Sequence, residues 1–378
     1  MEPSKRYKNT STLFGVDIEP QGEFGIMDLG IGDPNFTTNK KVIDATYQDM
    51  LAGHTHYTSP LGDEQLRNEI VKQYKDDYNY DISLQEIFVV TGAGTAMYLI
   101  LETLCEEDSE VLVPMPYYPP YPDQIRLVRA NCVFVDTQPN NFRLSPKILD
   151  KYLSPKTKCL ILNTPNNPTG VCLSKSELQD IANWAIKNNI IVIADDIYTT
   201  FSYENEFVPI CSLPQMRERT ITINSASKNY AMTGWRVGAI IAPPNIINII
   251  RTINESITYT TPSPSQRGFL HALRNRKEIQ NELANEFKKR LIYTADRINA
   301  IPTLSTNFYG AFYLFVNIQK TGMTSVQFVN KFVENCNVLV LPGVAFGTEG
   351  YVRIACIVGM DELKCAMDKL ENWLKTTI

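Results

Sequence analysis

The sequence contains no Cys-x-x-Cys pair, no basic run that stands out as a nucleic-acid footprint, no long apolar run and only 3 histidines among its 378 residues. Each absence removes a class of function. The 8 cysteines, Cys105, Cys132, Cys159, Cys172, Cys211, Cys336, Cys356 and Cys365, are scattered, and several lie in apolar segments such as Lys158-Cys159-Leu160-Ile161-Leu162. That placement fits buried free thiols in a reducing compartment and not a disulfide framework. Met1-Glu2-Pro3-Ser4-Lys5-Arg6-Tyr7 precedes no apolar core of signal-peptide length, and no later segment approaches a membrane span, so a cytoplasmic protein without a membrane partner is expected. With 36 basic against 41 acidic residues and a net charge of -5, nucleic acid is not an expected partner. His54, His56 and His271 have neither metal-ligand spacing nor a place in a serine-based triad, so they read as structural and no metal is expected.

What remains is a chain of ordinary globular composition, 44% hydrophobic and 20% charged, long enough for a large domain plus a smaller one. From about Glu86 to Pro243, short β-branched runs alternate with helical patterns, the signature of an α/β fold with a mostly parallel sheet covered by helices. Strands are expected over residues 87–91, 110–114, 132–136, 159–163, 190–195, 220–224 and 237–242, making one seven-stranded sheet. Leu178, Ile181, Ala182 and Ile186 recur at helical spacing between Ser174 and Asn188, which predicts a crossover helix. After Ser265 a helical pattern runs to about Ile298, residues 308–318 return to strand character, and 360–374 read as a closing helix. The pattern predicts a large domain over 34–292 and a smaller α+β domain built from both ends, 1–33 and 293–378.

In an open α/β sheet, ligands sit beyond the carboxyl ends of the strands, and the polar motifs of this chain fall at those ends. Thr220-Ile221-Thr222-Ile223 leads into Ser225-Ala226-Ser227-Lys228, with Arg236 eight residues after the lysine. Two hydroxyls, one amine and one guanidinium are the groups that hold a phosphorylated aldehyde as a Schiff base. Burial and cationic neighbours lower a lysine's pKa and free its amine as a nucleophile. A lone Ser-x-Ser-Lys also fits a surface lysine after an edge strand, and the other motifs decide between the two. Thr91-Gly92-Ala93-Gly94-Thr95 follows a strand and opens a helix expected over 96–104, so its N–H groups and the Thr95 hydroxyl can receive a phosphate. Met97 stands where the third glycine of Gly-x-Gly-x-x-Gly would be, which favours a single phosphate over a dinucleotide. Asp195 ends the strand Ile190-Ile191-Val192-Ile193-Ala194, which is too apolar for an unpaired carboxylate, and so it needs a cation.

Taken in order, these segments resemble the fold type I pyridoxal-phosphate-dependent aminotransferases of class I/II. Asn163-Thr164-Pro165-Asn166-Asn167-Pro168-Thr169-Gly170 is similar to the family's Asn-Pro-x-Asn-Pro-Thr-Gly turn, and Asp195-Asp196-Ile197-Tyr198 to its Asp-Glu-x-Tyr segment. Pro114-Met115-Pro116-Tyr117-Tyr118-Pro119-Pro120-Tyr121, Tyr351-Val352-Arg353-Ile354 and Gly30-Ile31-Gly32-Asp33-Pro34 extend the match over nearly the whole chain. The resemblance implies pyridoxal 5'-phosphate as cofactor, its phosphate held by Ala93, Gly94, Thr95, Ser225, Ser227 and Arg236. It implies Tyr118 on the ring face, Asn167 and Tyr198 on the phenolic oxygen, and Asp195 on the pyridine nitrogen. Lys228 would be first the Schiff-base partner and then the base for the α-proton. Arg353, with Gly32 and Asn167, would take the substrate carboxylate. Tyr57 would reach the neighbouring subunit's phosphate site, which implies a homodimer with shared active sites. Tyr117, Tyr118 and Tyr121 also fit a proline-stiffened surface loop, and Arg353 a paired surface arginine. Asp196 replaces the family's usual glutamate and is expected to point away from the ligand side.

The activity implied is transamination between an α-amino acid and a 2-oxo acid. The carbanion formed on the way can also expel a β- or γ-substituent, and residues 113–119 and 91–96 look somewhat like aminocyclopropane carboxylate synthase, a relative that closes a ring; related cyclases act on guanidino amino acids. Counting from Tyr259-Thr260-Thr261-Pro262, the position that carries an arginine for dicarboxylic substrates falls on Ser256. A neutral, aromatic or cationic side chain is then favoured over aspartate. A cofactor-sensing transcription regulator would need a DNA-binding module ahead of the match, which begins by about Gly30 and is expected to leave no room for one.

Overall fold

The structure, a computed structural model, describes residues 25–377. β1 (Met27–Asp28) is followed by β2 (Ile87–Val90), β3 (Glu110–Met115), β4 (Asn131–Asp136), β5 (Thr157–Asn163), β6 (Ile191–Asp195), β7 (Thr220–Ser225) and β8 (Gly238–Ile241). Strands β2 to β8 form one seven-stranded sheet in the order β2-β8-β7-β6-β5-β3-β4. Only β8 runs against its neighbours. The α/β sheet read from the sequence is thus the sheet found, with strand ends moved by one or two residues. The central stretches of β2, β3, β5, β6 and β8 are apolar on both faces because both faces are covered, whereas β7 alternates Thr220, Thr222 and Asn224 with Ile221 and Ile223. Ile193, Ile221, Ile223 and Ile240 share a core with the helix Gly92–Leu104. Leu160, Val192 and Ala194, from the opposite face, share another with the helix Lys175–Lys187, whose start is fixed by a reciprocal Ser174–Glu177 capping box.

The helical pattern after Ser265 divides into two helices, Ser263–Arg274 and Arg276–Asn299, separated at Asn275. Hydrophobic period carries across a one-residue break, so the pattern does not reveal it. Arg276 at the break is tied to Asp76 at 3.0 Å and to Asp77 at 2.8 Å. The second helix joins two cores: Ile279, Leu283 and Phe287 pack beside the large sheet, whereas Leu291, Ala295 and Ile298 belong to the core behind the small one. Residue 292, the sequence-based limit of the large domain, therefore lies inside a continuous helix.

The small sheet contains β9 (Tyr313–Asn317), β11 (Leu341–Pro342) and β12 (Tyr351–Ala355) in the antiparallel order β11-β12-β9, while β10 (Val338–Leu339) pairs in parallel with β1. Strand character expected over 308–318 contracts to β9. Leu314, Val316 and Ile354 pack on Phe328, Phe332, Leu370 and Trp373 of two helices behind this sheet. Residues 1–24, assigned from sequence to the smaller domain, lie outside the described residues. Among the described residues no helix is long and apolar enough to cross a membrane, and no group of His, Cys, Asp and Glu forms a metal site. All 8 cysteines are free.

Candidate active site

The parallel register sets the floor of the site. Asn163 of β5 lies opposite Asp195 of β6, and Asp195 opposite Ile223 of β7. Side chains alternate along a strand, so Asp195 shares the face of Ile193, towards the Gly92–Leu104 helix, and Asp196 takes the other. Asn163 fixes the corner: its Nδ2 donates to the Asp195 carbonyl at 2.8 Å, and its Oδ1 accepts from the Asn167 N–H at 2.8 Å. The Asp195 side chain is buried. Its Oδ2 accepts a hydrogen bond from Tyr121 Oη at 2.5 Å, and its Oδ1 has no partner in the protein. Burial pushes the carboxyl up to about 6, with the Tyr121 hydrogen bond opposing. An orphaned buried oxygen costs roughly 1–3 kcal/mol, so a cationic partner there removes a standing penalty. Asp196 is buried near Tyr74 and Cys211 on the opposite face, where burial and then the charge of Asp195 drive its carboxyl far above the usual range.

The helix after β2 begins at Gly92 and not at Ala96, which corrects the sequence-based start. Ala93, Gly94 and Thr95 therefore occupy its first turn, where backbone N–H groups have no intrahelical acceptor. Gly92 has φ +78°, and a Cβ on it would stand 2.8 Å from Arg236 Nη2, so glycine is what lets the guanidinium lie against this helix start. Arg236 is itself left-handed at φ 51° and ψ 56°, a conformation that costs a non-glycine residue about 1–2 kcal/mol. Its Nη1 donates to the Thr233 carbonyl at 2.8 Å. Ser225 Oγ donates to Ser227 Oγ at 3.0 Å, and Ser225 pairs with Gly238 just beyond the arginine. Two hydroxyls, a guanidinium and a helix start thus lie around one cradle.

Lys228 follows β7 in the short helix Ala226–Asn229, and its Nζ donates to the Gly32 carbonyl at 2.5 Å. Burial lowers its pKa to about 8; Asp33 opposes, and Arg353 and Arg236 add to the lowering. Roughly one amine in ten is then neutral at pH 7, against fewer than one in a thousand for an ordinary lysine. Arg353 of β12 is only 3% exposed, and among the described residues no carboxylate pairs with it. Its Nη1 donates to Asn167 Oδ1 at 2.8 Å, its Nη2 donates to the Gly30 carbonyl, and its Nε has no partner. The guanidinium lies 4.5 Å from the Tyr313 ring centre and 4.7 Å from that of Phe346. Tyr313 Oη is 3.0 Å from Tyr198 Oη, which is 3.5 Å from Asn167 Nδ2, closing a circuit of Arg353, Asn167, Tyr198 and Tyr313. Gly32 fits over this circuit because a Cβ there would stand 2.1 Å from Tyr313 Oη.

Tyr118 is half-buried among Tyr313, Asp195, Arg353 and Arg236, whose charges act on its hydroxyl after burial has raised it. The surface-loop reading of the tyrosines is thereby set aside for Tyr118 and Tyr121, as is the surface reading of Arg353. Tyr57 stands apart: it is 82% exposed, with its ring edge-to-face on Tyr259 at 5.1 Å. Ser256 is exposed at the end of the helix Pro244–Glu255. Sequence reasoning missed Gly92 as the seat of Arg236, Tyr121 as the partner of Asp195, and Tyr313. Tyr121 was visible in its proline-tyrosine segment, but β9 gives no local sign that Tyr313 meets Tyr198.

A cradle for phosphate, a buried carboxylate with one free oxygen and an amine of lowered pKa fit pyridoxal 5'-phosphate. On a mostly parallel α/β sheet they define a transferase of the pyridoxal-phosphate type. Residues 25–370 match the family described as aminotransferase class I and II, and the chain belongs to it: this is a pyridoxal-phosphate-dependent aminotransferase. It is 35% identical to an aromatic-amino-acid aminotransferase of Thermococcus litoralis over 94% of this chain and 93% of that one. It is 36% identical to an aspartate aminotransferase of Pyrococcus abyssi over 93% of this chain and 92% of that one. A crystal structure of an aromatic aminotransferase from Pyrococcus horikoshii superimposes with a TM-score of 0.90 at 34% identity, covering 93% of this chain and 96% of that one.

Proposed function

We propose that this aminotransferase moves the amino group of an α-amino acid with a neutral, aromatic or cationic side chain to a 2-oxo acid, and that aspartate is a poor substrate. The observation that carries the reading is Arg353, a buried guanidinium paired with no carboxylate and close to Asn167 and Tyr198. A substrate α-carboxylate supplies the missing counter-charge, in the bidentate geometry that arginine favours. Ile31, 53% exposed between the two glycines that meet Arg353 and Lys228, offers an apolar wall to the side chain. Ser256 offers no cation to a second carboxylate. The relatives named for aromatic amino acids and for aspartate are equally similar, so these residues, and not the likeness, support the preference.

When bound, the cofactor supplies an aldehyde carbon to carry the nitrogen and an electron-poor ring. Ala93, Gly94, Thr95, Ser225, Ser227 and Arg236 would hold its phosphate, Tyr118 the ring face, Asn167 and Tyr198 the phenolic oxygen, and Asp195 the ring nitrogen. Gly32 and Asn167 would orient the substrate beside Arg353. Lys228, whose amine burial makes a weaker base than an ordinary lysine's, would first hold the cofactor as its Schiff-base partner and then serve as the base that moves the α-proton. A homodimer is part of the reading: Tyr57 and Tyr259 are exposed together, and Ile43, Tyr47 and Leu51 form an exposed apolar stripe at four-residue spacing. Tyr57 would then serve the partner's phosphate site. The free thiols support a cytoplasmic location, and the two sheets with their separate cores support the division into a large domain, proposed over 34–292, and a smaller one from the two ends, with the helix Arg276–Asn299 crossing that limit and Leu291 already packed in the smaller core.

The test is product analysis with a panel of amino acids, with and without a 2-oxo acid. Turnover is expected to stop after one equivalent of amino acid when no 2-oxo acid is present, and aromatic or other non-acidic substrates are expected to exceed aspartate. Sustained turnover of one amino acid alone overturns transamination in favour of elimination or cyclisation of a γ-substituted substrate.

A further inference from the structure

We propose that Tyr121 is a positioning residue that holds one carboxylate oxygen of Asp195, leaving the other as the only one that meets the cofactor ring. The inference rests on the role proposed above for Asp195.

Asp195 is fixed in its backbone by β5 and β7 and by Asn163, so the freedom left to it is rotation of its carboxyl group. Tyr121 removes that freedom. Its hydroxyl donates to Oδ2 at 2.5 Å, both groups are buried, and Oδ1 is left unpartnered. Tyr121 is in turn held by its surroundings: it sits between Pro120 and Pro122 at the start of the helix Pro120–Leu127, and its N–H donates to the Tyr118 carbonyl at 3.1 Å. Its ring meets that of Tyr118 edge-to-face at 5.5 Å. One short segment therefore bears both the aromatic proposed for the ring face and the hydroxyl that aims the ring-nitrogen partner.

A hydrogen bond to a carboxylate favours its charged form. With Tyr121 in place, Asp195 is the weaker base, and a proton shared with the ring nitrogen stays on the nitrogen. Without it, the carboxyl turns more freely and competes for that proton.

The test is a double-mutant cycle on binding of pyridoxal 5'-phosphate to the cofactor-free protein, followed across pH, with the variants Tyr121→Phe, Asp195→Asn and both together. Asp195→Asn is expected to weaken binding strongly. Tyr121→Phe, which keeps the ring, is expected to weaken it about tenfold, the scale of one lost hydrogen bond to a charged group, and to move the acid limb of binding to higher pH. In the Asp195→Asn background the same change is expected to cost less than about twofold, because its target is gone. Equal losses in both backgrounds would show a packing role and overturn the proposal, as would an unchanged pH limb in Tyr121→Phe. If Asp195→Asn alone leaves binding intact, the ring-nitrogen assignment fails first and Tyr121 falls with it. Should Tyr121→Phe not fold, 3-fluorotyrosine at position 121 keeps the shape with a stronger donor; the acid limb is then expected to move to lower pH, and an unmoved limb overturns the proposal.

Discussion

Asp195 is a burden on the folded chain until a cation meets it. In the cofactor-free protein its pKa is about 6 against an ordinary 3.8, because burial disfavours the charged form. A carboxyl whose folded pKa is raised binds its proton more tightly when folded. Relative to the unfolded chain, that stability is fully present below about pH 4 and lost as the pH rises through 6. Asp195→Asn removes the titration, so the cofactor-free variant is expected to be more stable than the parent at pH 8, on the order of 2 kcal/mol, with the gain gone by pH 4. Urea midpoints at the two pH values measure it, and a parent as stable as the variant at pH 8 would refute the argument. The same variant should lose activity by orders of magnitude, since a neutral amide cannot hold a ring-nitrogen proton. At this scale Asp195 was legible because it is a carboxylate at the end of an apolar strand, Lys228 because two serines and Arg236 accompany it, and Arg353 through the family resemblance alone. Tyr313 was not, because its meaning is a contact with Tyr198 from a strand more than a hundred residues away.

The helix Gly92–Leu104 brings its amino end to Arg236, and glycine at its first position makes the approach possible. Gly92→Ala would place a methyl group 2.8 Å from Arg236 Nη2 and force a left-handed φ of +78° on alanine. Cofactor affinity is expected to fall at least about tenfold, with a stability loss of roughly 1–2 kcal/mol. Titration with pyridoxal 5'-phosphate beside thermal unfolding checks both, and retained affinity would show that Arg236 does not need this seat. Element type was read correctly from period, as between Ser174 and Asn188, but element limits were not. The start at Gly92 and the break at Asn275 depend on what the helices pack against, which hydrophobic spacing does not encode.

At the scale of the whole molecule, Ile43, Tyr47 and Leu51 are exposed at four-residue spacing on one helix and Tyr57 and Tyr259 are exposed together, and these are the apolar residues on which the proposed homodimer rests. Light scattering at micromolar concentration is expected to give twice the chain mass of 42.8 kDa. Replacing Leu51 and Tyr47 by lysine should shift the protein towards monomer and weaken cofactor binding together, since Tyr57 is proposed to act across the interface. A monomeric parent with full cofactor affinity would rule out shared sites.

The sequence by itself determined the sheet, because strands buried on both faces must be written in continuous apolar residues, and any charge that interrupts them stands out. It marked Asp195 at the end of one of those strands for the same reason, and Lys228 with the serines beside it by their motif. Only the tertiary structure decided how the small sheet meets the large one. Arg353 and Tyr313 from β12 and β9 close on Asn167 and Tyr198 through contacts of about 3 Å between side chains far apart in the chain. Such contacts depend on the angle at which two cores dock, and no local pattern of residues carries that angle.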